Sequence, residues 1–452
     1  MSNAAPDRPP RQVSSRVEAE ASPSGTPPEG GRRRILGLEW NVFWAGVVSF
    51  FMDISSEMVY PLVPIFLASV LGVNKSVIGL IEGIAETTAS LLKLLSGWLS
   101  DRLGRRKAMM STGYGISALS RIGLALAGTW AQVLGVRFVD RFGKGIRTAP
   151  RDAIVADSST PKNLSRNFGF HRAMDQAGAV IGPGIAFLVL TATPGAYRTV
   201  FWLSVVPGLL AVGVILFFIR EKRRLHAPRP VRSAPLGPVE RSGPGGVASW
   251  MAQVRRLRGP LLNYVLITGL FALGNSSDAF LILRAQNLGV ATALVPILYL
   301  VFNLVYSGLS IPAGLLGDRV GRRKVAVLGY MVFAVAYAVI ALASSAYGAW
   351  AAFIVYGIYM GLSDGNGRAL LAQMSPQAKR ATAFGFYHSV VGFAALPASV
   401  AAGLLWDRVS PSAPFWVGAV AALLAAVLLL LAVPEDYHPD EAPREGAVAA
   451  AS

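Results

Sequence analysis

Gly97-Trp-Leu-Ser-Asp-Arg-Leu-Gly-Arg-Arg-Lys107 returns 217 positions later as Gly314-Leu-Leu-Gly-Asp-Arg-Val-Gly-Arg-Arg-Lys324. An apolar stretch leads into each copy. Other stretches keep the spacing. Leu71-Gly72-Val73 pairs with Leu288-Gly289-Val290, and Arg151 with Arg368, at the same offset of 217. Phe168-Gly169-Phe170 pairs with Phe384-Gly385-Phe386 at 216, one residue having been lost between. The chain is therefore two halves built on one plan. The two basic segments mark which side of each half faces which compartment.

The solvent for that plan is lipid. Of the 452 residues, 53% are hydrophobic and 15% charged, against about a quarter charged in soluble domains. Apolar runs such as 200–219 and 415–433 match the ~20 residues a helix needs to cross a bilayer. Helices satisfy their own backbone groups in lipid, and the ~10-residue alternation of an outer-membrane barrel is absent. Twelve spans are predicted: 41–69, 76–99, 108–128, 131–156, 168–191 and 199–219, then 261–284, 293–316, 325–345, 349–374, 383–405 and 414–433. The expected fold is an all-α integral membrane protein of two parallel six-helix bundles around a central cavity. The halves occupy 41–219 and 260–434.

Loop charge sets the orientation. The turns on one side carry only Lys75, Arg198 and Arg408. The other side carries Arg102, Arg105, Arg106, Lys107, Lys162, Arg166, the linker 220–259, Arg319, Arg322, Arg323, Lys324, Lys379 and Arg380. That side is expected to be cytoplasmic, with both termini, in a cell (inner or plasma) membrane. The net charge of +17 is then explained by topology and anionic lipid, not by nucleic acid. Residues 1–40 read as a disordered tail without the apolar core of a signal peptide, and 435–452 as a second tail. Cysteine is absent, which removes disulfide, thiolate and cysteine–metal chemistry.

Gly97 to Lys107 matches the motif Gly-x-Leu-x-Asp-Arg-x-Gly-Arg-Arg/Lys that joins spans 2 and 3 in the major facilitator superfamily. With the second copy and the twelve spans, residues 40–434 resemble that family throughout. The resemblance implies a secondary transporter, not an enzyme, in which Gly97, Asp101, Arg102, Gly104, Arg105, Arg106 and Lys107 form a gating loop that latches the outward-facing state. Gly314, Asp318, Arg319, Gly321, Arg322, Arg323 and Lys324 form its counterpart. Gly97 and Gly314 are expected to let helices approach, and Gly104 and Gly321 to turn with positive φ. Arg141, in Arg-Phe-Gly-Lys-Gly-Ile, resembles the arginine of the family's span-4 motif, linked to proton handling, although Arg147 stands where a small residue is usual. Gly178, Gly182 and Pro183 resemble the antiporter motif of span 5, with a bend expected at the proline. The closing Gly-Gly of that motif is replaced by Ala186-Phe187.

Charge inside the first half is the strongest chemical signal. Asp53 and Glu57, and Glu82 and Glu86, are each four apart and so share a helical face. Arg121, Arg137, Asp140, Arg141, Lys144, Arg147 and Arg151 follow in spans 3 and 4, and His171, Arg172 and Asp175 in span 5. A charge at mid-bilayer costs about 3 kcal/mol on insertion scales, so these groups face protein or water and pair. Asp53, Glu57, Glu82, Glu86, Asp140, Arg141 and Asp175 are the candidates for proton coupling, against a static ion-pair network as the alternative for each. The second half is sparser. Asp278, Asn303 and His388, with Arg121 and Arg147, are cavity candidates. Tyr264, Phe280, Tyr299 and Phe302 are possible lining, and most other aromatic residues are expected at lipid or interface.

His171 and His388 are not spaced as a metal pair, and no Gly-Lys-Ser/Thr phosphate loop occurs. No metal or cofactor is expected, and the proton gradient is the energy source that fits. Expected partners are a small-molecule substrate and the bilayer, for a functional monomer. Three functions fit these residues: proton-coupled export of a small organic molecule or drug, import or facilitation of a metabolite, and a non-transporting membrane sensor. Buried titratable groups and the Gly-Pro motif favour the first; fold alone does not decide.

Overall fold

The computed structural model describes residues 34–103, 105–159, 164–220, 259–375 and 380–435. The greater part of both tails, the linker 221–258 and Lys162 and Lys379 lie outside the described residues. Span 1 is Trp40–Val70. The rest of the first half is span 2 (Lys75–Leu103), span 3 (Arg106–Leu126), span 4 (Trp130–Ser158), span 5 (Leu164–Ala192) and span 6 (Tyr197–Phe218). The second half is span 7 (Pro260–Asn287), span 8 (Val295–Val320), span 9 (Arg322–Leu342), span 10 (Ala346–Gln373), span 11 (Arg380–Arg408) and span 12 (Ala413–Ala432).

Packing repeats with a shift of six. Span 1 packs on 5 and 6, 2 on 4, and 3 on 4 and 6. Span 7 packs on 11 and 12, 8 on 10, and 9 on 10 and 12. The halves meet where span 2 lies along span 11 and span 5 along span 8. Trp40 Nε1 donates to Phe218 O at 2.7 Å, and Asn263 Nδ2 to Ala432 O at 3.1 Å. Both halves therefore begin and end on one face, here the linker face.

Nine of the described helical segments are long and apolar enough to cross a membrane by composition. The other three are spans 2, 3 and 4, which hold most of the buried charge. The outer surface is apolar because lipid bathes it: Phe217 is 83% and Leu431 78% exposed.

Two features differ from expectation. Residues 34–39, placed in the disordered tail by composition, form an antiparallel pair, Arg34–Ile35 with Leu38–Glu39. It turns through positive φ at Leu36 and Gly37, and Asn167 Nδ2 holds Glu39 Oε2 at 2.8 Å. Span 7 is not continuous: helix Pro260–Gly274 stops and helix Asp278–Asn287 starts after it, with Ser277 accepting from Ala279 N at the new cap. Span 5 runs as one helix with Pro183 inside it.

The halves share topology but not interior chemistry. The second half is filled with aromatic rings. Phe271 stacks on Tyr330 with centroids 4.3 Å apart, and Phe333 on Tyr337 at 3.9 Å. Tyr264, Phe280, Tyr337, Phe333 and Phe415 are fully buried. The expectation that most of these rings face lipid or interface is corrected. Both faces of a lipid-embedded helix are apolar, so hydropathy does not separate the core face from the lipid face.

Candidate functional site: a charged cavity between the halves

A cavity of about 400 Å³ lies between the halves. Span 1 contributes Asp53, Ser56, Glu57 and Tyr60; span 4 contributes Arg137, Asp140, Arg141, Lys144 and Arg147. Spans 1 and 4 run in opposite directions, and each places these side chains about one turn apart. Arg137 and Arg141 lie over the Tyr60 ring, 5.8 and 5.9 Å from its centroid. Span 3 adds Arg121, span 2 adds Glu86 and Ser90, and the break in span 7 adds Asn275, Ser276, Ser277 and Asp278. Tyr299 of span 8 completes this wall against Tyr60, centroids 5.4 Å apart.

Close helix approach fixes the acidic wall. A Cβ on Gly178 would lie 2.5 Å from Phe50 O and 3.0 Å from Asp53 Cβ. One on Gly182 would lie 2.7 Å from Ile54 O and 3.1 Å from Glu57 Cβ. These glycines seat span 5 directly behind the two carboxylates, as small residues do between membrane helices.

The ionisable groups divide by partner. Arg137 Nη2 donates to both oxygens of Glu82, at 2.7 and 2.5 Å; Arg137 reaches the cavity wall, whereas Glu82 is buried behind it. Arg121 faces Asp140 at 3.4 Å and donates to Ser56 Oγ at 3.1 Å. Arg141 holds Glu86 at 3.1 Å, with Glu86 43% exposed. Asp53 and Glu57 have no ion-pair partner among the described residues, and Glu57 Oε2 has no hydrogen-bond partner there. Asp278 accepts from Tyr356 Oη at 2.7 Å. Arg147 lies 4.3 Å from the Tyr114 ring centroid, and its Nη1 has no partner.

Of the coupling and cavity candidates, Asp53, Glu57, Glu86, Asp140, Arg141, Arg121, Arg147 and Asp278 meet at the cavity. Others do not. Glu82 is closed off by Arg137. Asp175 sits beside His171 at 3.6 Å and Arg172 at 3.8 Å, away from the lining. Asn303 is off the wall, and His388 packs against Tyr387 and Phe384. Of four possible lining aromatics only Tyr299 lines; Tyr264 donates to Gly367 O, and Phe280 and Phe302 are core. Tyr60 was readable, because it follows Glu57 by three residues on the same face. The span 7 break was readable too, in Gly274-Asn-Ser-Ser-Asp278, a breaker followed by a capping residue.

The loop motifs sit at the linker face, away from the cavity. Gly97, Asp101 and Arg102 fall on the last turns of span 2; their contacts, and Gly104, lie outside the described residues. Arg105 is exposed, Arg106 Nη1 donates to Ala153 O at 3.3 Å, and Lys107 Nζ to Leu216 O at 2.9 Å. In the second copy Asp318 pairs within the motif, with Arg322 at 3.0 Å. Arg323 donates to Val433 O at 2.6 Å, and Lys324 meets Glu435 at 3.1 Å. Gly321 turns with φ of 106°. Gly314 is not a close-approach glycine: a Cβ there would meet nothing within 4 Å. Gly317, one turn on, is the one that packs, against Asn366.

Comparison with known proteins agrees with this architecture. The family model described as Major Facilitator Superfamily matches residues 45–284 and 264–452. An uncharacterised MFS-type transporter of Methanocaldococcus jannaschii is 35% identical over 399 residues, covering 87% of this chain and 95% of that protein. The quinolone resistance protein NorA of Staphylococcus aureus is 23% identical over 192 residues, 42% of this chain and 46% of that one. The nucleoside transporter NupG superposes with a TM-score of 0.70 at 12% identity, over 87% of this chain and 100% of that one.

Proposed function

Because the chain belongs to the major facilitator superfamily and is a multi-pass membrane transporter, we propose that it exports a small organic molecule in exchange for protons. It works by alternating access, as a monomer, in the cell membrane with both termini in the cytoplasm. The observation that carries this reading is the pair Asp53 and Glu57. They line the cavity between the halves, and no arginine holds them in an ion pair among the described residues. Glu82, Glu86 and Asp140 each face an arginine. A carboxylate outside an ion pair exchanges a proton without breaking one, and alternating access exposes it to each compartment in turn. The Gly178–Pro183 resemblance and the distant likeness to a quinolone resistance protein support export over import.

Proteoliposomes with an imposed pH gradient test the coupling. Given a panel of quinolones and fluorescent organic ions, the parent should carry at least one about tenfold faster with the gradient than without. Asp53→Asn and Glu57→Gln should lose that acceleration. Asp140→Asn should keep part of it, since Asp140 already faces Arg121. Transport indifferent to the gradient, with all three variants unimpaired, rejects proton coupling.

The cysteine-free sequence makes orientation directly testable. Cysteines placed at Thr129→Cys and Arg105→Cys, both exposed, should differ in intact cells. A membrane-impermeant maleimide should label position 129 and spare 105. The reverse pattern rejects the assigned orientation.

A further inference from the structure

The cavity presents opposite charge on facing walls. Asp53 and Glu57 of span 1 look toward span 4, which offers Arg141, Lys144 and Arg147. Most of the charge around it is locally compensated, in the pairs Arg137–Glu82, Arg121–Asp140 and Arg141–Glu86. What remains is unused hydrogen-bonding capacity of both signs, the Nε atoms of Arg121, Arg137 and Arg141 also lacking an acceptor although their other nitrogens are paired. Glu57 Oε2 lacks a donor, and Arg147 Nη1 lacks an acceptor. Arg147 is only 7% exposed, with its guanidinium face committed to Tyr114. Asp278, on the other half, adds a further carboxylate to the lining, one oxygen of which accepts from Tyr356. Buried polar groups with unused hydrogen-bonding capacity are costly, and a ligand that completes both is favoured over one that completes either.

Resting on the transport reading above, we propose that the substrate is amphoteric: a small organic zwitterion bound lengthwise in this cavity. Its ammonium-type group meets Glu57 and Asp278, its carboxylate-type group meets Arg147, and its body lies along Tyr60 and Tyr299. The volume of about 400 Å³ lies within the roughly 300–1,000 Å³ usual for small-molecule sites. A purely cationic ligand leaves Arg147 without an acceptor; a purely anionic one leaves Glu57 without a donor. An arginine pairs a carboxylate through a planar fork, so the anionic end is the more exacting of the two.

The test uses purified full-length protein and matched probes in three charge forms. Tryptophan, N-acetyltryptophan and tryptophanamide form one set; leucine, N-acetylleucine and leucinamide form another; alanylalanine and its N-acetylated and amidated forms make a third. Ligand-dependent melting is read for each. At least one zwitterion should raise the melting temperature and bind at least tenfold more tightly than both of its capped forms. Glu57→Gln and Arg147→Gln should each reduce it to the level of a capped form. If a capped form binds as well as its zwitterion, or no zwitterion in the panel binds, the assignment is wrong. The parent's ranking needs no variant to fold. A zwitterion that binds but is not carried by proteoliposomes leaves the ligand class standing and overturns the transport reading. A capped cation carried in preference to its zwitterion does the reverse.

Discussion

Glu82→Ala should destabilise the folded protein by about 3–5 kcal/mol, because it strands a buried arginine. Glu82 is 1% exposed and Arg137 4%, and both carboxylate oxygens lie on one guanidinium nitrogen. The pair joins span 2 to span 4 at a depth where neither charge reaches bulk water. Removing the acid leaves Arg137 facing Tyr60 and the other cavity arginines with nothing to neutralise it. Removing both, as Glu82→Leu with Arg137→Met, should cost far less, within about 1–2 kcal/mol of the parent, because the desolvation cost of both ions disappears together. Unfolding in mixed micelles, as a double-mutant cycle, measures this. If Glu82→Ala is neutral, or the double variant is as unstable as the single, the pair is not the internal tie described.

Gly79→Val should open the seam between the halves. Span 2 and span 11 approach through reciprocal glycines. A Cβ on Gly79 would collide with Ser399 O, one on Gly83 would lie 2.9 Å from Leu396 Cα, and one on Gly392 would lie 2.5 Å from Ser90 Cβ. Thr87 Oγ1 donates to Gly392 O at 2.7 Å, and at the end of the seam the Ser76 amide donates to Asp407 at 2.8 Å. The contact runs from the face opposite the linker to mid-depth, so it closes the cavity on that side. Overpacking costs about 1–3 kcal/mol, and here it falls only on the state in which the seam is shut. The closed-to-open ratio should drop roughly 5–150-fold, at about 1.4 kcal/mol per decade. Ser90→Cys, at a cavity-lining position, should then react with an impermeant maleimide from that face at least tenfold faster in the Gly79→Val background. Gly184→Val is the control, because a Cβ there meets nothing within 4 Å. Equal labelling in all backgrounds would show that the seam is not what shuts this face.

Much of this was legible in the chain. The 217-residue echo, the apolar runs and the loop cations lead to twelve spans and two halves. The helices mostly extend past the apolar segments, as span 2 does to Leu103 and span 4 to Ser158, because polar residues continue a helix beyond the hydrocarbon. Period also put Asp53 with Glu57 on one face. Partner choice was not legible. Glu82, Asp140 and Asp53 look alike as acids in a membrane helix, and only the meeting of spans 2, 3 and 4 assigns arginines to the first two. Gly314 and Gly317 were likewise indistinguishable, since which glycine packs depends on the rotation of span 8 about its axis.

By itself the sequence determined the solvent, the number of spans, the duplication and the stock of charge in the first half. These follow from composition and period, which are local properties of a helix in lipid. Tertiary structure decided which charges are neutralised, which are left facing the cavity, and which aromatic rings turn inward. Each of these depends on a residue from another helix arriving within a few ångströms. In a membrane, hydropathy does not report that arrival, because lipid and protein interior are equally apolar neighbours.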